Sequence, residues 1–156
     1  MAHIQDVAAF ILGERGPMTA MKLQKLCYYS YGYHLAWEDR QLFPERFEAW
    51  ANGPVCPELY RQHRGRFQLS RDDIKGDSGS LDRGERESVI LVLDAYGDLS
   101  AHQLSTLTHQ ESPWRSARQR GHAADMERSG ESLSDLDISE FFEARISADE
   151  EGDEEG

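Results

Sequence analysis

The stretch AMKLQKLCYYSYGYHLAWED, residues 20–39, decides the fold, because it is the longest segment that has helical spacing throughout and contains no proline. Thr19 precedes it and can cap a helix with its hydroxyl. Lys22 and Lys25 are predicted to point away from the buried side. The predicted buried stripe consists of Leu23, Leu26, Cys27, Ser30, Tyr33, His34 and Trp37. We therefore predict a long central helix.

Shorter helices are predicted on both sides of the central one. The segment HIQDVAAFILGERG, residues 3–16, has the apolar spacing of an amphipathic helix, which Gly16 and Pro17 would end. Further helices are predicted in PELYRQHRG (57–65), DRGERESVILVLDAYG (82–97), AHQLSTLTHQ (101–110), WRSARQRG (114–121) and ISEFFEARI (138–146). Their predicted caps are Ser100, Ser112 and Asp137 at the starts and Gly65 at one end. The sequence predicts a compact all-α domain of six or seven helices.

The helix predicted over 82–97 carries the strongest pattern after the central one. Its buried side is predicted to hold Val89, Ile90, Leu93 and Tyr96. Gly97 would then supply a left-handed ending.

Between these helices, the segment ERFEAWANGPV alternates only loosely, which predicts a short strand or an extended arm near 47–55. Gly53 and Pro54 indicate a turn, and Pro57 suits the first position of the next helix. Residues 66–81 are predicted to form a polar loop.

The net charge of −12 is concentrated at the C-terminal end. Residues 1–130 hold 18 acidic and 16 basic side chains, whereas residues 131–156 hold 11 acidic and one basic. The segment SADEEGDEEG, residues 147–156, has no apolar residue beyond Ala148, so burial cannot offset its ordering and we predict a disordered acidic tail.

Location and redox state follow from two further features. The apolar run VAAFIL is far shorter than a membrane helix, so we expect no membrane segment and a cytoplasmic location. The cysteines, Cys27 and Cys56, have no CxxC partner and are predicted to be buried free thiols.

Candidate catalytic groupings are incomplete. His109 and Glu111 resemble the H-x-E half of a zinc deaminase, but no P-C-x-x-C follows. His102 lies seven residues before His109 without a third ligand, and Cys27 with His34 lacks any sign of an activated thiolate. We therefore expect no enzyme activity, no metal site and no cofactor.

Three separated blocks, in order along residues 4–118, carry a resemblance to one protein family. The matching positions are Lys22, Leu23, Gln24, Lys25, Leu26, Tyr28, Tyr29; then Glu48, Ala49, Trp50, Gly53, Pro54, Val55, Tyr60; then Leu99, Ser100, Leu104, Leu107, Thr108, His109, Pro113 and Trp114. This pattern resembles the SocA-like antitoxin domain, also called Panacea and formerly a phage-associated domain of unknown function. Cys27 stands where the family has an aliphatic residue.

The resemblance implies a mainly helical fold and an antitoxin that binds a cognate protein toxin. We expect the toxin to be encoded by a neighbouring gene. In some members the antitoxin instead presents the toxin to a protease. The toxins of the family are varied, so the resemblance does not name this one. We predict the Panacea-like domain over residues 1–128, a C-terminal helix packing on it over 129–146, and the acidic tail over 147–156.

DNA binding is an alternative, because many antitoxins repress their own promoters. Two arginine clusters could contact phosphates, namely Arg61, Arg64, Arg66 and Arg71, and Arg115, Arg118 and Arg120. The almost balanced charge of residues 1–130 and the acidic tail both oppose strong nucleic-acid binding.

A partner-binding surface is predicted around the Gly-Pro turn, since exposed aromatic and arginine side chains are the usual anchors of protein interfaces. The candidates are Trp50, Gly53, Pro54, Val55, Tyr60, Arg61, Arg64, His109, Trp114, Arg115 and Arg118. The alternative is that Trp50, Val55 and Tyr60 fold the arm against the central helix, because large aromatic residues contribute most through burial. We favour this scaffold role for those three residues, although aromatic side chains serve both purposes.

Overall fold

Helices make up most of the chain, and the predicted all-α class is confirmed. The computed structural model describes residues 1–155, and in this range seven α-helices are joined by four short strands. The helices are α1 (Ile4–Arg15), α2 (Ala20–Glu38), α3 (Pro57–His63), α4 (Arg83–Tyr96), α5 (Ala101–His109), α6 (Ser112–Arg120) and α7 (Asp135–Glu155). The strands are β1 (Met18–Thr19), β2 (Glu48–Trp50), β3 (Gly53–Val55) and β4 (Gln68–Leu69). No helix within the described range is both long and apolar enough to cross a membrane.

The central helix is α2, which packs against α1, α4, α5, α7 and β3. It begins as predicted, with the Thr19 hydroxyl accepting a hydrogen bond from the Lys22 backbone N–H at 3.2 Å. It ends at Asp39, whose φ of 54° lies in the left-handed region. Every residue from 23 to 35 is buried. The helix is therefore enclosed on all sides, which a single apolar stripe does not describe.

Two predicted orientations on α2 were wrong. Lys25 is 0% exposed instead of pointing to solvent, because the β2–β3 hairpin and α5 cover its side of the helix. Trp37, predicted to be buried, is 39% exposed. It stacks on Tyr33, with ring centroids 5.0 Å apart, in the last turn of the helix, where fewer elements cover the surface.

An aromatic cluster joins α2 to α7. The Tyr28 ring meets Phe47 and Phe142 edge to face, with centroids 5.4 and 6.0 Å away. A side chain at Gly32 would overlap the Phe142 ring, so the glycine lets α7 approach the α2 backbone directly. Cys27 and Cys56 are buried and free, as predicted.

Residues 131–133, which precede α7, form backbone hydrogen bonds with the hairpin region. The Ala49 N–H donates to the Glu131 carbonyl, and the Leu133 N–H donates to the Phe47 carbonyl, both at 2.9 Å. These bonds align residues 131–133 alongside β2. The predicted division of the chain at residue 128 stays a prediction.

The start and the end of α7 both differ from the prediction. Its cap is Ser134, not Asp137, since the Ser134 hydroxyl accepts from the Asp137 N–H at 3.0 Å. The helix continues to Glu155, into the segment expected to be disordered, and residues 147–152 are exposed throughout. The expectation used burial alone, whereas alanine and glutamate also have good intrinsic helix propensity. Gly156 lies outside the described residues.

Three details of α4 and of the loop before it also differ. Gly97 has a right-handed φ of −63°. A side chain at Gly97 would meet the Leu93 carbonyl and the Arg15 guanidinium, so glycine is needed for close approach. Ile90 is 41% exposed, because the buried side of α4 runs through Val89 and Leu93. The predicted polar loop contains β4, which pairs antiparallel with β1, and two 3-10 turns at Arg71–Asp73 and Ser78–Ser80.

Candidate functional site

The segment predicted to be a strand or an arm is a tight hairpin. β2 and β3 pair antiparallel, with Trp50 opposite Gly53, and a two-residue turn joins them. Gly53 has φ of +117°, in the region that favours glycine. A side chain there would also overlap Lys25 and Thr108. The hairpin therefore lies directly on α2 and α5, and only glycine permits this contact.

Four consecutive backbone carbonyls of the hairpin, Ala49 to Asn52, face side chains of α5 or α6. Three of them accept hydrogen bonds, from Ser105 to Asn52 (2.7 Å), from Trp114 to Trp50 (2.8 Å) and from Arg118 to Ala49 (2.7 Å). The Ala51 carbonyl lies near enough to His109 to influence the pKa of its imidazole. We call these four side chains the hairpin clamp. They are spaced four or five residues apart, so a single side of the α5–α6 pair supplies all of them. The clamp satisfies the turn carbonyls internally and fixes the shape of the hairpin.

Arg118 is the most connected member of the clamp. It is only 8% exposed, and its second guanidinium nitrogen donates to the carbonyls of Ala124 (2.7 Å) and Glu127. The guanidinium carbon also lies 5.0 Å from the centre of the Trp114 ring. Arg118 thus ties the hairpin to the loop that follows α6.

His109 and Trp114 support each other beneath the turn. Their rings stack with centroids 4.3 Å apart. Burial lowers the pKa of His109, and the nearby charges of Lys25 and Arg118 lower it further. A neutral imidazole at pH 7 follows, and it can donate to the Ala51 carbonyl through one nitrogen. The other nitrogen, Nε2, is buried and has no partner in the described part of the chain.

The opposite end of the hairpin is fixed by Gln24. Its amide accepts from the Cys56 N–H at 2.9 Å and donates to the Cys56 carbonyl at 3.3 Å. The same amide nitrogen lies 3.0 Å from His63 Nε2. Residues of all three sequence blocks therefore hold the hairpin in place.

Lys25 is a buried amine beside this hairpin, and its Nζ has no hydrogen-bond partner among the described residues. Burial lowers the pKa of Lys25 to about 7. The side chain lines a cavity of about 180 Å³ whose other walls are Met21, Asn52, Ala101, His102 and Ser105. Burying an ammonium without a hydrogen-bond partner costs free energy, so a lysine at position 25 does not stabilise the fold.

The surface around the hairpin turn combines apolar and cationic side chains. Met126 is 82% exposed. The exposed Arg128 guanidinium lies 3.5 Å from the centre of the half-buried Trp50 ring. One hollow of about 220 Å³ is lined by Met21, Trp50, Ala51, Asn52 and Arg128. Another of about 380 Å³ is lined by Ala51, His109, Trp114, Arg118, Asp125 and Met126. We call the surface formed by Met21, Trp50, Asn52, Met126 and Arg128 the hairpin face.

The structure divides the predicted partner-binding residues into three groups. Those gathered around the hairpin are Trp50, Tyr60, His109, Trp114 and Arg118. Those buried beneath its surface are Gly53, Pro54 and Val55. Those exposed outside the clamp are Arg61, Arg64 and Arg115. Whether any of them contacts a partner stays a prediction.

The arginines considered for DNA binding mostly make internal contacts. Arg66 pairs with Asp73. Arg71 donates to the carbonyls of Ile74 and Gly76. Arg120 pairs with Glu131 and Asp137, and Arg118 belongs to the clamp. Four of the seven candidate side chains are thus held by the protein itself.

The side chains of His109 and Glu111 do not form a joint site. Glu111 is buried and accepts hydrogen bonds from the Tyr29 hydroxyl at 2.9 and 3.0 Å. Burial raises the pKa of Glu111 to about 7. Among the residues that the structure describes, no group of three His, Cys, Asp or Glu side chains could hold a metal ion.

Several residues of the site were not predicted. The four-residue spacings of Ser105 with His109 and of Trp114 with Arg118 were visible in the sequence, but not the carbonyls that they bind. Lys25 carried no clear signal, because Lys22 and Gln24 beside it are also polar. Met126 and Arg128 lie in a polar loop that shows no pattern.

The matched region covers most of this site. Residues 23–115 match the family described as Antitoxin SocA-like, Panacea domain. The chain is 34% identical over 110 residues to Antitoxin SocA of Caulobacter vibrioides (strain NA1000 / CB15N), and the match covers 63% of this chain. The chain spans about 58% of the length of that curated relative. No solved structure matches. The protein belongs to the SocA-like antitoxin family, whose Panacea domain here contains most of α2, the hairpin and three of the four clamp side chains.

Proposed function

We propose that this protein is a cytoplasmic antitoxin that neutralises a protein toxin, encoded by a neighbouring gene, through direct binding at the hairpin face. Membership of the SocA-like family and the similarity to Antitoxin SocA support the antitoxin role. Occlusion by binding requires a surface but no catalytic group, and the hairpin face is such a surface.

The observation that carries this proposal is the hairpin clamp. Three side chains donate hydrogen bonds to carbonyls of this one short hairpin, and His109 lies beside a fourth carbonyl. A rigid turn loses little conformational entropy when a partner binds, which increases affinity. Met126, Arg128 and Trp50 stand around that turn, and exposed methionine, arginine and aromatic side chains are enriched in protein interfaces.

Growth rescue tests the proposal. The neighbouring gene product is co-expressed with the wild-type chain or with Met126→Glu plus Arg128→Glu, and growth and co-purification are measured. We expect the wild type to rescue growth and to co-purify. The double variant should lose at least tenfold in binding, because both side chains are exposed and a charge on each opposes an apolar or anionic partner surface.

Leu91→Glu is the matched control, because Leu91 is an exposed apolar residue of α4, no residue of which lines the cavities around the hairpin. It should rescue like the wild type. Equal rescue by the double variant would exclude the hairpin face as the binding surface. Rescue that disappears in a protease-deficient host would instead favour the alternative in which the antitoxin presents the toxin to a protease.

A further inference from the structure

The cavity beside Lys25 has the composition of a site for one negative charge. Lys25 is the only lysine or arginine in its wall, and its Nζ lacks a partner among the described residues. Elsewhere in the described chain, buried Arg118 has three carbonyl acceptors. The protein therefore satisfies one buried cation completely and leaves the other without an acceptor.

The N-terminus of α5 forms another wall of the same cavity. Ala101 and His102 are the first two residues of this nine-residue helix, and both line the cavity. The N-cap Ser100 hydroxyl accepts from the Gln103 N–H, which lies one position further along. The first N–H groups of a helix have no acceptor within the helix, and the helix dipole favours an anion there. The Lys25 amine and the N-terminus of α5 therefore both favour a negative charge in the cavity.

The cavity is also continuous with the hairpin face. Met21 and Asn52 line both this cavity and the neighbouring hollow that holds Trp50 and Arg128. A volume of about 180 Å³ suits a short acidic side chain, and the apolar wall of Met21 suits its methylene groups. One amine and one helix end balance a single carboxylate better than the multiple charges of a nucleic-acid backbone.

We propose that this cavity is a carboxylate-binding site, and that an Asp or Glu side chain of the toxin enters it and accepts a hydrogen bond from Lys25. The Nζ atom is buried behind the cavity wall, so the lining side chains shift when this bond forms. This inference rests on the proposed function for the source of the carboxylate but not for the site itself. Gly53 belongs to the same arrangement, because its lack of a side chain makes room for the end of Lys25.

The site can be tested without the toxin. The chain contains three lysines, Lys22, Lys25 and Lys75, so lysine labelled with ¹³C at the ε position produces three resolvable NMR signals. The full chain is titrated with pH in sodium acetate and in sodium chloride at equal ionic strength. We expect acetate to raise the midpoint of the Lys25 signal by at least one pH unit and to leave Lys22 and Lys75 unchanged. If the midpoint of the Lys25 signal is the same in the two salts, the cavity is not a carboxylate-binding site.

The source of the carboxylate is tested on the complex with the toxin. Lys25→Met should weaken toxin binding at least tenfold, whereas Lys22→Met, one turn earlier on α2, should change it less than twofold. If Lys25→Met binds the toxin as tightly as the wild type does, the carboxylate does not come from the toxin. The acetate result is unaffected by that outcome. If the wild type forms no complex at all, the proposed function fails, and the acetate titration still decides whether the site exists.

Discussion

Replacing Lys25 by methionine is expected to raise the free energy of unfolding by about 3 to 5 kcal/mol at pH 7. The pKa of Lys25 falls from 10.5 to about 7 on folding, because burial disfavours the ammonium. Each unit of such a fall costs about 1.4 kcal/mol of stability. Methionine has a similar length and no charge to desolvate, so it removes this cost without leaving a large hole.

The same residue produces a defined pH dependence. Between pH 7 and 10.5 the unfolded chain keeps the Lys25 proton that the folded protein has lost, so stability rises with pH. Below pH 7 both states hold the proton and the cost is constant. We expect a rise of about 1.5 kcal/mol between pH 7 and 8.5 in urea unfolding of the wild type, and no such rise in Lys25→Met.

Glu111, whose pKa is raised to about 7, lowers stability mainly as the pH rises from 4.5 to 7, and by less than about 0.5 kcal/mol above pH 7. The buried histidines and thiols titrate outside the window from pH 7 to 8.5. Burial lowers the pKa of His34, His63 and His109, so their contribution to stability is lost as the pH falls through 6.5. Burial raises the pKa of the Cys27 and Cys56 thiols, whose contribution is lost as the pH rises above 9. Lys22→Met is the control, and it should change stability by less than about 1 kcal/mol. A Lys25→Met protein that is less stable than the wild type would show that Lys25 has a stabilising partner.

Arg118→Met is expected to lower the free energy of unfolding by about 3 to 5 kcal/mol, because each buried carbonyl left without a donor costs about 1 to 3 kcal/mol. The change leaves the carbonyls of Ala49, Ala124 and Glu127 without their donor. It also removes the cation beside the Trp114 ring. Urea unfolding followed by circular dichroism measures the loss.

Arg115→Met is the matched control for this variant. Arg115 lies on the same helix but is exposed, so its loss should change stability by less than about 0.5 kcal/mol. The contrast separates the contributions of these two arginines to stability, and their role as partner-binding candidates stays a prediction. Equal, small effects of both changes would show that the clamp contributes little to the fold.

The helices were largely predictable because their signals are local. The Thr19 and Ser100 caps and the apolar spacing of α1 depend on residues within one or two turns. The errors arose where distant segments decide the environment. Lys25 is covered by a hairpin whose sequence lies some 25 residues further along the chain. The spacing of apolar residues along α2 cannot reveal that the hairpin buries Lys25.

The candidate site was predictable in its residues but not in their roles. Trp50, His109, Trp114 and Arg118 were singled out as possible contacts with a partner. In the structure, Trp114 and Arg118 donate to carbonyls of the hairpin and His109 lies beside another, all about 60 residues away in sequence. Backbone acceptors leave no trace in a sequence, because every residue has a carbonyl.

Hydrogen–deuterium exchange of the purified antitoxin–toxin complex tests the central claim most directly, because it locates the surface that the toxin covers. We predict that binding slows exchange at residues 50–53 of the hairpin and at residues 121–128 of the loop carrying Met126 and Arg128, while the exposed side of α4 is unchanged. Slower exchange on α4, with unchanged exchange at the hairpin, would contradict toxin binding at the hairpin face.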